Sequence, residues 1–202
     1  DAGAGGGSVA SARGPTGGAV PSAAGAMAAL ACGATPAGSR GTTPLAGATK
    51  VARNGYRLFD GWSFHRDPAG FGVAVPDGWA YFRAGAATCF RDPEGVRVLS
   101  VDPSRRPGTD PLTGCRREEA RLRAALPGYA RVRLDRVPRY RAGAEWDYTY
   151  AGAGAGMQAR TVWFVASDRH AYAVGWATRR FDWRVNVVNF DMIMGSFAPA
   201  VT

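Results

Sequence analysis

HRDPAGFGVAVPDGW, residues 65–79, carries the reading of the fold. A short apolar run, Phe71 to Val75, lies between two turn signals, and the stretch ends at Trp79. The first signal, Asp67-Pro68-Ala69-Gly70, returns as Asp92-Pro93-Glu94-Gly95, again followed by an apolar alternation. A type I turn favours Asp at its first position, Pro at its second and Gly at its fourth. Both motifs therefore read as punctuation between strands, and nothing in them requires a site.

The neighbouring segments take the same form. Trp79 to Arg83 continues beyond the Pro76-Asp77-Gly78 turn, and Thr88–Arg91 with Val96–Val101 makes a hairpin around the second motif. Asp110 caps a helix with Pro111 in its first position. Leu112, Cys115, Leu122 and Leu126 share one face of it, Glu119 and Arg123 are spaced as an i,i+4 ion pair, and Pro127-Gly128 stops it. Tyr129–Val137, Ala144–Tyr150, Met157–Ala166 and His170–Thr178 read as four antiparallel strands rich in Val, Tyr, Trp and Phe. A last helix starts near Asp182, with Trp183, Val187, Phe190, Met194 and Phe197 as its apolar stripe. Short strands broken by single helices imply an α+β domain, an antiparallel sheet of about six strands flanked by helices. The connections are too short for repeated parallel crossovers.

Composition divides the 202 residues unevenly. Residues 1–55 are Ala, Gly, Ser, Thr and Pro with almost no large apolar side chains, which reads as a disordered linker ahead of a folded part over 56–200. The segment 19–34 ends near Cys32 as a lipoprotein signal does, but Ala29 stands where a large aliphatic residue belongs three positions before the cysteine. No stretch has the roughly 20 consecutive apolar residues of a membrane span. Beginning at Asp1 without a methionine, the chain reads as a fragment or a processed form. Of the three cysteines, Cys89 and Cys115 can bridge or remain buried thiols, and buried thiols are the simpler reading. The net charge of +9 is carried by arginine, since Lys50 is the only lysine. Such a balance permits anionic partners without choosing among them.

Four segments together resemble a known family: FHRDPAGFGVAVPDGW (64–79), FRDPEGVRVLSVDPS (90–104), WFVASDRHAYAVGWAT (163–178) and FDWRVNVVNFDMIMGSFAP (181–199). They are similar to the extracytoplasmic C-terminal domain of actinobacterial membrane serine/threonine protein kinases, over residues 56–200. The resemblance implies a Mog1/PsbP-like fold, with a cytoplasmic kinase, one membrane helix and a flexible linker ahead of it. It brings no ligand residues. Kinase signatures are absent from this sequence: there is no Gly-rich loop followed by V-A-I-K, no H-R-D loop, and FDG at 59–61 is not D-F-G.

Chemistry-bearing residues are few. His65 and His170 have no metal-ligand spacing around them, and Ser167, Asp168 and His170 are neighbours on an extended segment, unsuited to a relay. AGAGAGM, 151–157, lacks the GxGxxG spacing and the following helix of a phosphate loop, and reads as a hairpin. Trp146, Trp163, Trp176 and Trp183 read as core in preference to a ligand pocket. The strongest charge feature is ARVRLDRVPRYR, 130–141, with Arg131, Arg133, Arg136, Arg139 and Arg141. Period two puts Arg131 and Arg133 on one face and Val132 and Leu134 on the core side, and Arg116, Arg117, Arg121 and Arg123 can extend the patch. It reads either as a solvated face, the stronger reading, or as a surface for wall polymer, lipid headgroup or nucleic acid. With Tyr140 its only aromatic, nucleic acid is the weakest of these partners.

The expected function is a non-catalytic sensor or interaction domain on the outer side of the cell membrane, tethered to a kinase, without cofactor or metal. The alternative is a free-standing secreted or lipid-anchored envelope binding protein of the same fold.

Overall fold

The computed structural model describes residues 32–33, 49–152 and 154–201. In chain order these form β1 (Trp62–Arg66), β2 (Gly72–Pro76), β3 (Ala80–Ala84), β4 (Ala87–Arg91), β5 (Val98–Arg105), α1 (Pro111–Ala125), β6 (Ala130–Val137), β7 (Ala142–Gly152), β8 (Ala155–Val165), β9 (Ala171–Arg179), a 3-10 turn (Arg180–Asp182) and α2 (Trp183–Ser196). Seven strands make one sheet in the order β3-β4-β5-β9-β8-β7-β6, every pair antiparallel. β1 and β2 form a separate hairpin. The α+β architecture is the one expected, with one strand more in the sheet and an extra hairpin layer.

Side-chain alternation on the central strands sorts the core into two layers. Val162, Phe164, Tyr172, Val174 and Trp176 face the β1-β2 hairpin and α2, where they meet Phe64, Phe71, Val73, Phe190, Ile193 and Phe197. Trp176 stacks on Trp79 at 5.4 Å. Trp146, Tyr148, Ala159, Trp163 and Ala173 face the other way, against Cys115 and Leu122 of α1. Close approach of α1 depends on Gly114, because a Cβ there would stand 2.1 Å from the Trp163 ring.

Both turn motifs work as the sequence implies. Gly70 N–H donates to Asp67 O at 2.8 Å and Gly95 N–H to Asp92 O at 2.9 Å, each glycine at positive φ. Asp110 caps α1 by accepting from Thr113 N–H at 2.9 Å. β1 was not foreseen: WSFHR is buried over Trp62, Ser63 and Phe64 on both faces, so it lacks a half-buried strand's alternation.

The cysteines depart from expectation. Cys32 is bonded to Cys89 with Cα atoms 5.5 Å apart, and Cys115 is the free, buried thiol, so there is no Cys89–Cys115 bridge. The reason is topological. Cys89 faces away from Phe90 and the hairpin layer, into a small cluster of Cys32, Ala87 and Val98, while Cys115 lies in the separate cluster over β7 and β8. Much of the expected 1–55 linker lies outside the described residues. Within it, Thr49 bridges Phe64 and Ala52 is buried in the core, so packing begins ahead of Tyr56.

Candidate functional site

Arg131, Arg133 and Arg136 lie on β6, the sheet's edge, Arg139 and Arg141 in the connection that follows it, and the run does not form one patch. A bulge between Arg131 and Arg133 leaves Val132 without a partner: Arg131 pairs with Tyr148 and Arg133 with Asp147. The extra residue resets the alternation. Arg131 and Arg136 therefore lie on the α1 face, Arg133 on the α2 face, and Val132 is 58% exposed instead of core. Leu134 is buried as expected.

Each guanidinium has a partner. Arg131 Nε donates to Glu119 at 2.7 Å, and Arg136 Nη1 to Asp110 at 2.6 Å. Arg133 reaches Asp135 at 2.9 Å and Glu145 at 3.4 Å, and Arg141 pairs with Asp168. Arg139 donates to Met194 O at 2.9 Å, satisfying a carbonyl in the last turn of α2. The Arg136 guanidinium and the Thr113 N–H together hold the Asp110 carboxyl down at about 2. The i,i+4 pair expected between Glu119 and Arg123 is not made, because Glu119 turns inward to Tyr129 and Arg131.

Those residues line an open depression of about 230 Å³, formed by Glu119, Arg123, Tyr129, Ala130 and Arg131. Trp146 Nε1 donates to the Tyr129 oxygen at 3.1 Å, and the Tyr129 hydroxyl donates to Glu119 at 2.6 Å. Burial, and then the Glu119 carboxylate, push the Tyr129 pKa up. The hydroxyl is thus held as a donor, which is the reverse of an activated nucleophile.

The histidines sit apart. His65 packs on Tyr81 and Phe90, with Nε2 3.7 Å from the buried Asp67 carboxylate, beyond hydrogen-bond reach. Burial raises the Asp67 pKa, but His65, Ala69 N–H, the Thr88 hydroxyl and Arg83 outweigh it, and the carboxyl stays below the ordinary range. The expected turn residue is also an internal anchor. Likewise Asp92 accepts from Val96 N–H and Arg97 N–H, and Arg97 reaches on to Asp182 at the start of α2. At the other end, Ser167 Oγ accepts the Arg169 and His170 N–H groups, a local turn with no relay geometry. Among the described residues no cluster of His, Cys, Asp or Glu is arranged to hold a metal.

One group of unengaged cations lies on α1. Glu118 and Glu119 face inward, so its outer side carries Arg116, Arg117, Arg121 and Arg123, exposed and without a hydrogen bond or ion pair among the described residues. Inward-facing glutamates separate this surface from the β6 run, which the sequence reading takes these arginines to extend.

Residues 63–199 match the family described as "Serine/threonine kinase C-terminal domain". The chain belongs to this family. The kinase C-terminal domain has the same fold as cyanobacterial PsbP (CyanoP) from Synechocystis sp. PCC 6803, at a TM-score of 0.53 and 17% identity over 71% of this chain and 94% of that one. A Pseudomonas aeruginosa protein of unknown function, described as a putative regulator, is similar at 0.49 and 15% identity, covering 70% of this chain and 99% of its own. The Ran-binding protein Mog1p of Saccharomyces cerevisiae gives 0.47 and 6%, covering 67% and 94%. The CyanoP likeness carries the fold assignment, and the likeness extends to fold alone. A search of curated protein sequences gave no match. No helix among the described residues is long and apolar enough to cross a membrane.

Proposed function

We propose that this kinase C-terminal domain is a non-catalytic interaction domain on the outer side of the cell membrane, binding an anionic envelope component through the outer face of α1. The family match supports the tie to a kinase. The observation that carries the location is the Cys32–Cys89 disulfide, a bond that persists in oxidising compartments and is rare in the cytosol. The same bond occupies the Cys32 sulfur, leaving it unavailable for the lipid of the alternative, lipid-anchored reading. For the ligand, the support is the set of exposed arginines on α1, since the arginines of 131–141 are paired with carboxylates and a carbonyl of this chain. Ligand binding would act on the tethered receptor by changing how its copies or domains are arranged.

The location is tested by peptide mapping of acid-quenched, alkylated cells. The expected result is a linked pair of peptides containing Cys32 and Cys89, with Cys115 alkylated as a thiol. Alkylated Cys32 and Cys89 without reduction would refute it. The ligand face is tested with soluble polyphosphate as probe: replacing Arg116, Arg117, Arg121 and Arg123 with Gln should abolish salt-sensitive binding. Undiminished binding would remove α1 from the reading.

A further inference from the structure

α2 carries two apolar stripes. The inner one, with Phe190, Ile193 and Met194, enters the core. The outer one does not: Phe181 is 79% exposed, Val185 75% and Val188 53%. Phe181 lies in the 3-10 turn that leads into α2, and Val185 and Val188, three positions apart, share one side of the first turns of the helix. Single exposed apolar side chains are ordinary, but an aligned row that includes a phenylalanine marks an interaction surface. Two further exposed rings continue it. Phe59 lies beside the helix, its N–H 3.4 Å from Met192 Sδ, and Tyr56 lies against Gly195.

The charges around the row are uneven. Arg180 and Arg184 are exposed beside Phe181 and Val185, and neither has a side-chain partner among the described residues. The Arg179 guanidinium lies 6.0 Å from the Phe181 ring. Asp182, the nearest carboxylate, is occupied by Arg97 and the Thr178 hydroxyl. Asp60 and Asp191 are exposed as well, Asp191 three positions beyond Val188 and within electrostatic range of Arg160. The N-terminal end of α2 is therefore apolar at its crest and cationic at its sides.

We infer that this end of α2 docks on the headgroup region of an anionic phospholipid bilayer, with Phe181 and Val185 entering the acyl boundary and Arg180 and Arg184 at the phosphates. Interfacial helices combine these two signals, buried apolar side chains and cations, because either alone binds weakly. Charge argues against a second copy of this chain as the occupant, since two such ends would bring their arginines together. The inference stands on this surface alone and does not depend on the kinase or on the α1 ligand.

The test is co-sedimentation of the purified chain with vesicles of phosphatidylcholine, alone or mixed with phosphatidylglycerol. The expected result is binding to the mixed vesicles only, weakened by salt. The pair Arg180→Gln with Arg184→Gln, and separately Phe181→Ser with Val185→Ser, should each lower the partition tenfold or more. All four positions are exposed in the folded chain, and an unchanged melting temperature would verify that the variants fold. Absence of wild-type binding, or equal binding to both vesicles, would overturn the inference. So would binding that survives both pairs and is lost instead when the four α1 arginines are replaced.

Discussion

Glu118 should make this domain more stable in mild acid than in mild base. It lies on the inner side of α1, 7% exposed, and shares one guanidinium, that of Arg105, with Asp102. Asp102 is 2.8 Å from Arg105 and also accepts from Ser104 N–H and its hydroxyl, so it is the better-served carboxylate. Burial raises the Glu118 pKa and Arg105 opposes it, leaving the group pushed up to about 7 from an ordinary 4.5. A carboxyl raised in the folded state prefers its proton there. Its contribution is complete below pH 4.5 and is lost as pH rises through about 7. At about 1.4 kcal/mol per pH unit, that interval amounts to about 3 kcal/mol. About 2.5 kcal/mol of this is lost between pH 5 and pH 8, so with a urea slope of about 2 kcal/mol per molar the midpoint should fall by about 1.2 M at constant ionic strength. Glu118→Gln keeps an acceptor for Arg105 and should remove most of the slope. Asp67, Asp77 and Asp110 do not interfere, because their pKa values are held below 3.8 and their contributions are lost only as pH falls further. A midpoint independent of pH in the wild type, or a slope that survives in Glu118→Gln, would refute the reasoning.

Three other outcomes follow from the packing. Opening the Cys32–Cys89 bond, which spans 57 residues, should cost up to about 4 kcal/mol by the chain-entropy argument, read from urea midpoints with and without reductant. Burial pushes the Cys115 thiol up to about 12, so a thiol reagent should find it only after unfolding. Gly114→Ala should destabilise the fold by about 1–3 kcal/mol, because the added methyl meets the Trp163 ring beneath it, and a melting curve reports it directly.

Much of the fold was legible because its signals are local. The two D-P-x-G turns, the Asp110-Pro111 helix start and the apolar content of β7 to β9 are each decided within a few residues. β1 was hidden because Ser63 is buried by a polar contact with Asp77, a partner 14 positions away. The bulge at Val132 was hidden for a related reason. Period-two reasoning assumes an unbroken ladder, and one skipped residue moves Arg133 to the other face. Cys32 lies in a segment with almost no large apolar residues, so its disulfide could be found only from where Cys89 faces. The site was less legible than the fold, because charge density along β6 says nothing about internal partners. Glu119 of α1 and its cap Asp110 engage Arg131 and Arg136, and the same inward turn of glutamates leaves the outer arginines of α1 without an ion pair among the described residues.

The outward location of the domain on a larger receptor is tested by an immunoblot of intact cells, with and without external protease, using an antibody against residues 56–200. The expected result is a membrane-fraction band several times heavier than these 202 residues, losing the epitope when protease is added outside. A band that external protease leaves intact in unbroken cells, or one near the size of this chain in the cytosol, would contradict it.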